Sequence, residues 1–156
     1  MITAIDSNVL IDVLSPDPER GMASWEALGA SRRRGPLVAC DVVCSEVAGL
    51  FHSPEEARHV LSELGIHYEP TSERAALRAS RIQREYHRRG GARQRLAPDF
   101  LIGAHALDVA DRLLTRDRGF YRAYFRDLVI VEPARSRSEI DRDGAPARSI
   151  TPQLGR

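Results

Sequence analysis

The sequence predicts a three-layer α/β fold with a mostly parallel five-stranded sheet flanked by helices. Three observations carry this reading. Five short apolar segments alternate with longer stretches whose apolar residues recur at helical spacing. Proline, glycine and capping residues stand where those helices should begin and end. The chain is 156 residues long and 42% hydrophobic, which suits one domain around one core.

The elements follow in order. Residues 2–5 (Ile-Thr-Ala-Ile) read as a buried strand that runs directly into Asp6-Ser7-Asn8. Val9, Leu10, Val13 and Leu14 then keep helical spacing until Pro16 and Pro18. A helix is expected from Gly21 to Arg34, with Trp25 and Leu28 inward and Arg32-Arg33-Arg34 near its negative end. Pro36 to Cys40 reads as the second strand, and Asp41 as the cap of the helix that carries Glu46. Ser53-Pro54-Glu55-Glu56 combines a capping serine, a first-position proline and a capping-box glutamate. Ala57, Val60, Leu61 and Leu64 form the inner face of that helix, which Gly65 ends.

Ile66-His67-Tyr68 is the third strand. A long helix covers about residues 73–89, with Ala75, Ala79, Ile82 and Tyr86 as its apolar stripe. Pro98-Asp99 opens the next helix, whose core positions are Phe100, Ala104 and Leu107. Arg112 to Thr115 is the fourth strand, residues 119–125 a short aromatic helix or turn, and Leu128 to Val131 the fifth strand. The domain is expected over residues 1–133. Residues 134–156, rich in Arg, Ser, Asp, Gly and Pro, read as a loosely ordered tail.

Composition excludes several chemistries. The net charge is +1, and all 23 basic residues are arginine. Without lysine there is no P-loop amine, no Schiff base and no kinase-type lysine. Cys40 and Cys44 are too few for a disulfide framework or a zinc cluster. His52, His59, His67, His87 and His105 fall in no zinc or triad pattern, and His105 reads as a packed core residue. With no signal segment and no apolar run of spanning length, the expectation is a soluble cytoplasmic protein with no membrane association.

Four acidic residues remain to be explained. Asp6 follows the first strand, Glu46 lies in the helix after the second, Asp99 stands in a first helical turn, and Asp117 lies just past the fourth strand. Parallel topology puts strand ends of this kind on one edge of the sheet, where ligands bind in open α/β folds. Gathered carboxylates repel unless protons are retained or a cation binds. Their hard oxygens suit magnesium or manganese. Taken singly, each fits a cap, turn or surface role; the joint arrangement is what argues for function. Asp12, Asp108, Asp111 and Asp127 read as helix-surface or turn residues, with Asp12 the least settled because it lies close to Asp6.

These stretches resemble the PIN-domain family, and within it the VapC toxins of bacterial toxin–antitoxin pairs. The resemblance rests on Ile5-Asp6-Ser7-Asn8-Val9-Leu10, Ser45-Glu46, Pro98-Asp99-Phe100-Leu101-Ile102-Gly103-Ala104 with Ala106, and Leu113-Leu114-Thr115-Arg116-Asp117 with Phe120. It spans residues 2–132. It implies a Mg²⁺-dependent endoribonuclease, with Mn²⁺ an acceptable substitute. Asp6, Glu46, Asp99 and Asp117 fall on the family's acidic positions. Ser7 and Thr115 fall on its small hydroxyl positions, and Asn8 belongs to the same supporting group. Many relatives carry another acidic or amide residue two places after the last aspartate. Gly119 stands there in this chain, which puts a fifth ligand and a second metal in doubt. The resemblance also implies a VapB-like antitoxin as partner and a homodimer. Leu10, Leu14, Trp25 and Phe51 are candidates for an antitoxin groove, with core positions the favoured alternative.

The arginines are unevenly placed. Between residues 73 and 95 there are eight (74, 78, 81, 84, 88, 89, 93 and 95) against Glu73 and Glu85, a local excess of +6 that leaves −5 for the rest. A solvated helix face is the ordinary outcome of such a run. The imbalance points further, to an RNA phosphate backbone contacted by Arg78, Arg81 and Arg88. Arg116 and Arg118 flank Asp117 and could contact phosphate or tether carboxylates. Competing readings are a PIN-fold nuclease of RNA or DNA processing outside a toxin system, and a non-catalytic RNA-binding module. Phosphatase and receiver folds built on aspartate want a second aspartate two places after the first, where this chain has Asn8, or a lysine.

Overall fold

The computed structural model describes residues 1–91 and 97–134. Arg93, Arg95 and all but the first residue of the expected tail lie outside the described residues. The five strands are β1 (Thr3–Ile5), β2 (Leu37–Ala39), β3 (Ile66–Tyr68), β4 (Arg112–Leu114) and β5 (Val129–Val131). They form one sheet in the order β3-β2-β1-β4-β5, and every pairing is parallel. Thr3 of β1 lies opposite Leu37 on one side and Arg112 on the other. The three central strands are buried throughout, whereas β3 and β5 expose residues at the edges. That is the pattern of strands covered on both faces.

Among the described residues, seven helices connect the strands: α1 (Ser7–Leu14), α2 (Pro18–Arg32), α3 (Asp41–Ala48), α4 (Pro54–Glu63), α5 (Glu73–Arg88), α6 (Ala97–Val109) and α7 (Arg118–Tyr124). Parallel strands require right-handed crossovers. Chain order runs outward from β1 to β3, then crosses to β4 and on to β5. Helices therefore cover both faces of the sheet, and α3 meets α6. The strand order reverses between β1 and β4, so a crevice opens at their carboxyl ends. Asp6 and Thr115 are the first residues past those two ends.

Local chemistry fixes most helix starts. Ser53 accepts from the Glu56 amide at 3.2 Å, and the Glu56 carboxylate accepts from the His52 amide at 3.2 Å. Ser72 caps α5 by accepting from the Ala75 amide at 3.1 Å. Gly65 takes a left-handed φ of 72°, which lets α4 stop and β3 begin. Two expectations need correction here. α2 begins at Pro18 rather than Gly21, because Asp17 caps it through the Glu19 and Arg20 amides. Trp25 is 54% exposed and is not an inner-face residue. Ser24, Leu28 and Ser31 are the buried residues of α2, one helical repeat apart, and Trp25 is turned about 100° away from Ser24.

Asp41 also differs from expectation. Cys40 occupies the cap position of α3, and Asp41 is the first helical residue. Its carboxylate instead accepts from the Thr71 amide at 2.7 Å, tying the start of α3 to the loop before α5. Asp108 is no surface residue: it pairs with Arg74 and accepts from the Ser72 hydroxyl at 2.6 Å. Asp111 accepts from the Ile2 amide at 2.6 Å and holds the amino end of β1.

The core is continuous from Ala4, Ile5 and Leu37 through Leu113, Leu114, Phe100 and Ala104. Beside it lies an aromatic cluster. Tyr86 of α5 meets Phe100 of α6 at 5.5 Å, Phe120 of α7 at 6.0 Å and Tyr124 at 5.0 Å, all edge to face. Phe100 and Phe120 immediately adjoin the site residues Asp99 and Asp117 in sequence or cap. The cluster therefore fixes the roots of both carboxylates. No helix among the described residues is long and apolar enough to cross a membrane.

Candidate active site

Asp6 is the centre of the site. It leaves β1 with its amide still bonded to the Leu114 carbonyl of β4 at 3.0 Å, so the β1–β4 ladder holds its backbone. The residue is only 4% exposed. Its Oδ2 accepts from the Thr115 hydroxyl at 2.6 Å and from the Asn8 amide nitrogen at 2.8 Å. Oδ1 lies 3.4 Å from the Ser7 hydroxyl.

Thr115 and Asn8 form the hub around it. The fully buried Thr115 hydroxyl donates to Asp6 and accepts from the Asp117 amide at 3.0 Å and from the Asn8 side chain at 3.2 Å. The Asn8 carbonyl oxygen accepts from the Arg116 amide at 3.2 Å. Asp117 in turn caps α7, accepting from the Phe120 amide at 3.4 Å. One network therefore joins the ends of β1 and β4. Ser7, Asn8 and Thr115 each contact the Asp6 carboxylate.

The carboxylates meet electrostatically. Burial pushes the Asp6 carboxyl above its ordinary pKa; the Thr115 hydrogen bond opposes this, while the charges of Asp99 and Glu46 push it up further. α3 packs on α6, which carries Glu46 and Asp99 toward Asp6. Glu46 is exposed and has no hydrogen bond or ion pair among the described residues; Asp99 and Asp117 are half-buried. Among the described residues, no three His, Cys, Asp or Glu side chains stand close enough to enclose a metal ion by themselves. The donor set is nevertheless one that suits a hard cation. Magnesium keeps several waters and commonly takes only one or two carboxylates from protein. A cation beside Asp6 would also relieve the repulsion that raises its pKa.

Arg116 turns toward α1 and α2. Its side chain pairs with Asp12 of α1 and donates to the Arg20 carbonyl and the Ser24 hydroxyl of α2, each at 3.1 Å. Ser24 donates to the same Asp12 carboxylate at 2.9 Å. Arg116 is thus a tether to a carboxylate, and its guanidinium is engaged away from the solvent. Asp12 and Ser24 were not legible as site residues. The one available signal was spacing: Asn8 and Asp12 lie four apart on α1, and both bind Arg116. Arg118 pairs with Glu132 at 3.1 Å.

The other arginines stand on α5. Arg78 and Arg81 line a groove between α5 and the segment Ala123–Leu128, together with Glu85 and Arg89. Arg88 is exposed at the end of the helix. Arg74 pairs with Asp108, and Arg89 with Glu85.

His105 is a core histidine, as expected. It is 2% exposed, its Nε2 has no hydrogen-bond partner, and burial lowers its pKa.

A buried aspartate at a parallel-sheet switch point, with the charges of Asp99 and Glu46 acting on it, is an acidic site on a doubly wound fold. The PIN-domain family profile matches residues 3–126, and the chain belongs to that family. No curated protein sequence is significantly similar to it. Solved structures share the fold at low identity. A VapBC complex of Rickettsia felis bound to a DNA fragment from its promoter superposes with a TM-score of 0.66 at 15% identity, covering 86% of this chain and 100% of that one. A toxin–antitoxin complex of Klebsiella pneumoniae gives 0.60 at 25% identity, covering 85% and 98%. A VapC toxin of Mycobacterium tuberculosis that cleaves the sarcin–ricin loop gives 0.58 at 15% identity, covering 81% and 98%. The chain is a PIN-domain protein that shares its fold with these VapC structures.

Proposed function

We propose that the protein is a Mg²⁺-dependent endoribonuclease, the toxin of a VapBC-type toxin–antitoxin pair, hydrolysing RNA phosphodiester bonds with activated water. The observation that carries the reading is Asp6: a carboxyl buried at the β1–β4 switch point, destabilised in its charged form by Asp99 and Glu46. Such a group is poorly placed as a structural residue and well placed as a cation ligand. Asp6 and Asp99 would hold the ion, with Asp117 and Glu46 completing its surroundings through water. When bound, Mg²⁺ supplies a polarised phosphate and a bound water of lowered pKa.

The chain's own groups supply the rest. Thr115 and Asn8 keep Asp6 Oδ2 fixed and leave Oδ1 available to a ligand. Glu46, the exposed carboxylate of the four, is the group able to accept a proton from attacking water. Arg78, Arg81 and Arg88 on α5 are the side chains offered to the RNA backbone.

The toxin reading rests on the family and on structural neighbours that are complexes with antitoxins. A VapB-like antitoxin would cover the acidic edge, and exposed Met22 and Trp25 of α2 are apolar contacts for it. Leu10 is fully buried and drops out as a docking residue, while Leu14 and Phe51 are half-buried. Homodimerisation is part of the same reading.

The test is cleavage of structured RNA and of single-stranded DNA with Mg²⁺ or Mn²⁺, comparing the wild type with Asp6→Asn and Asp99→Asn. RNA cleavage abolished by EDTA and lowered about 100-fold or more by either substitution is expected. Cleavage that survives EDTA and both substitutions overturns the mechanism. Cleavage of DNA alone overturns the substrate, and RNA binding without any cleavage supports the non-catalytic alternative.

A further inference from the structure

We infer that Arg116 and Asp12 form a positioning clamp that sets Asp117 against Asp6, an inference that rests on the metal-dependent nuclease reading. Arg116 sits between two site residues, Thr115 and Asp117, in the loop that leaves β4. Its side chain turns away from them and locks onto the α1–α2 hairpin. Four contacts hold it: the ion pair with Asp12, the Arg20 carbonyl, the Ser24 hydroxyl, and the backbone bond from the Arg116 amide to Asn8. The side chains of Arg116 and Asp12 are only 17% and 14% exposed, so the pair is largely shielded from water and salt.

The clamp connects to the site at both ends. Asn8, which receives the Arg116 amide, donates to Asp6 Oδ2 and to Thr115. Thr115 accepts from the Asp117 amide. One hydrogen-bonded circuit of Asp6, Asn8, Thr115, Arg116 and Asp117 therefore determines how far Asp117 stands from Asp6. Asp12 reaches that circuit from α1 through the Arg116 side chain. A planar guanidinium suits this task, because its fork addresses a carboxylate, a carbonyl and a hydroxyl at fixed angles. Lysine offers no such fork. A half-buried Arg with its donors filled is also unsuited to bind phosphate, which separates this residue from the exposed arginines of α5.

The test uses the full chain and four variants: Arg116→Gln, Asp12→Asn, the two combined, and Arg116→Lys. The double variant leaves no lone charge in the hairpin, so it keeps a folded form available for measurement. Mn²⁺ affinity is measured by titration without RNA, and kcat and KM on a structured RNA. Each single variant is expected to weaken Mn²⁺ binding and to lower kcat by 10- to 100-fold at a KM within about threefold of wild type. The double variant is expected to be no worse than either single, the signature of two residues acting as one unit. Arg116→Lys is expected to recover part of kcat and no more. A raised KM at unchanged kcat would instead make Arg116 a substrate contact and overturn the clamp. Unchanged Mn²⁺ affinity in both single variants overturns it as well. If wild type binds Mn²⁺ but cleaves no RNA, the nuclease reading fails while the Mn²⁺ titrations still decide the clamp.

Discussion

Asp6 combines three features rarely combined without function: near-complete burial, two strong hydrogen bonds to one oxygen, and like charge nearby. Its raised pKa has a definite consequence for stability. A carboxyl whose folded pKa exceeds its unfolded value stabilises the fold when protonated, and that contribution is lost as pH rises through the folded value. At neutral pH the charged form therefore opposes folding. Asp6→Asn is expected to melt higher than wild type at pH 7 in metal-free buffer, with the difference vanishing below about pH 3.8, the ordinary carboxylate value. Adding Mn²⁺ should raise the melting temperature of the wild type and not that of the variant. Calorimetry with and without EDTA measures both effects; a variant less stable than wild type at pH 7 would contradict this account.

Gly119 is the other informative single residue. A Cβ built there meets nothing within 4 Å, and its φ is not positive. Neither packing nor backbone strain requires glycine at this position. Gly119→Asp is therefore expected to fold with unchanged stability, within about 0.5 kcal/mol. By placing a carboxylate two residues after Asp117, it should also raise the stoichiometry or affinity of Mn²⁺ binding in a titration. An unaltered isotherm would show that the position does not face the cation.

At the scale of elements, the site is held by helix packing from behind. α6 carries Asp99 at one end, and its Gly103 lies directly under the Phe125 ring, where an added Cβ would come within 2.6 Å of ring carbons. The ring cannot retreat easily, because Phe125 is buried among Phe120 and Tyr121 at 5.9 and 5.7 Å. Gly103→Ala is expected to destabilise the fold by about 1–3 kcal/mol, measured by urea denaturation. The displaced α6 should also weaken divalent binding at Asp99. An alanine tolerated without loss would mean that α7 shifts freely, and the aromatic cluster would not be the support described.

Element boundaries were legible to within a few residues where the chain carries punctuation. Ser53-Pro54 and Gly65 each act locally, through a cap or a left-handed φ, so their effect is written in adjacent residues. The inward face of α2 has the opposite origin. Its start follows the local Asp17 cap, but which face turns inward depends on Ser24 meeting Asp12 across the hairpin. No periodicity in residues 18–32 distinguishes that face, because the buried positions are serine, leucine and serine.

For the molecule as a whole, charge is separated by region. The acidic residues Asp6, Glu46 and Asp99 gather toward the carboxyl edge of the sheet, and α5 presents Arg78, Arg81 and Arg88 along its length. RNA lying across both would exchange counterions with the arginines while its scissile phosphate meets the carboxylates. Arg81→Glu with Arg88→Glu is expected to weaken RNA binding about 10-fold or more at low salt. It should also flatten the dependence of log Kd on log salt by about 2 or more, since at least two phosphate contacts are lost. Filter binding over a range of KCl concentrations reads both. Arg116 predicts the contrast: its substitution should leave the salt slope unchanged, because its guanidinium is engaged with Asp12.

The sequence by itself determined the parallel α/β architecture and the four acidic positions, along with the hydroxyls that support them. Alternating apolar segments can bury themselves only as covered parallel strands, and residues just past such strands must emerge on one edge. Only the tertiary structure decided that the Arg116 side chain meets Asp12, Arg20 and Ser24, that Ser24 bonds Asp12 across the α1–α2 hairpin, and that Trp25 is exposed. Each of these depends on which groups meet across the β1–β4 switch point and the α1–α2 hairpin. Those partners lie up to 109 residues apart along the chain, so no local pattern records them.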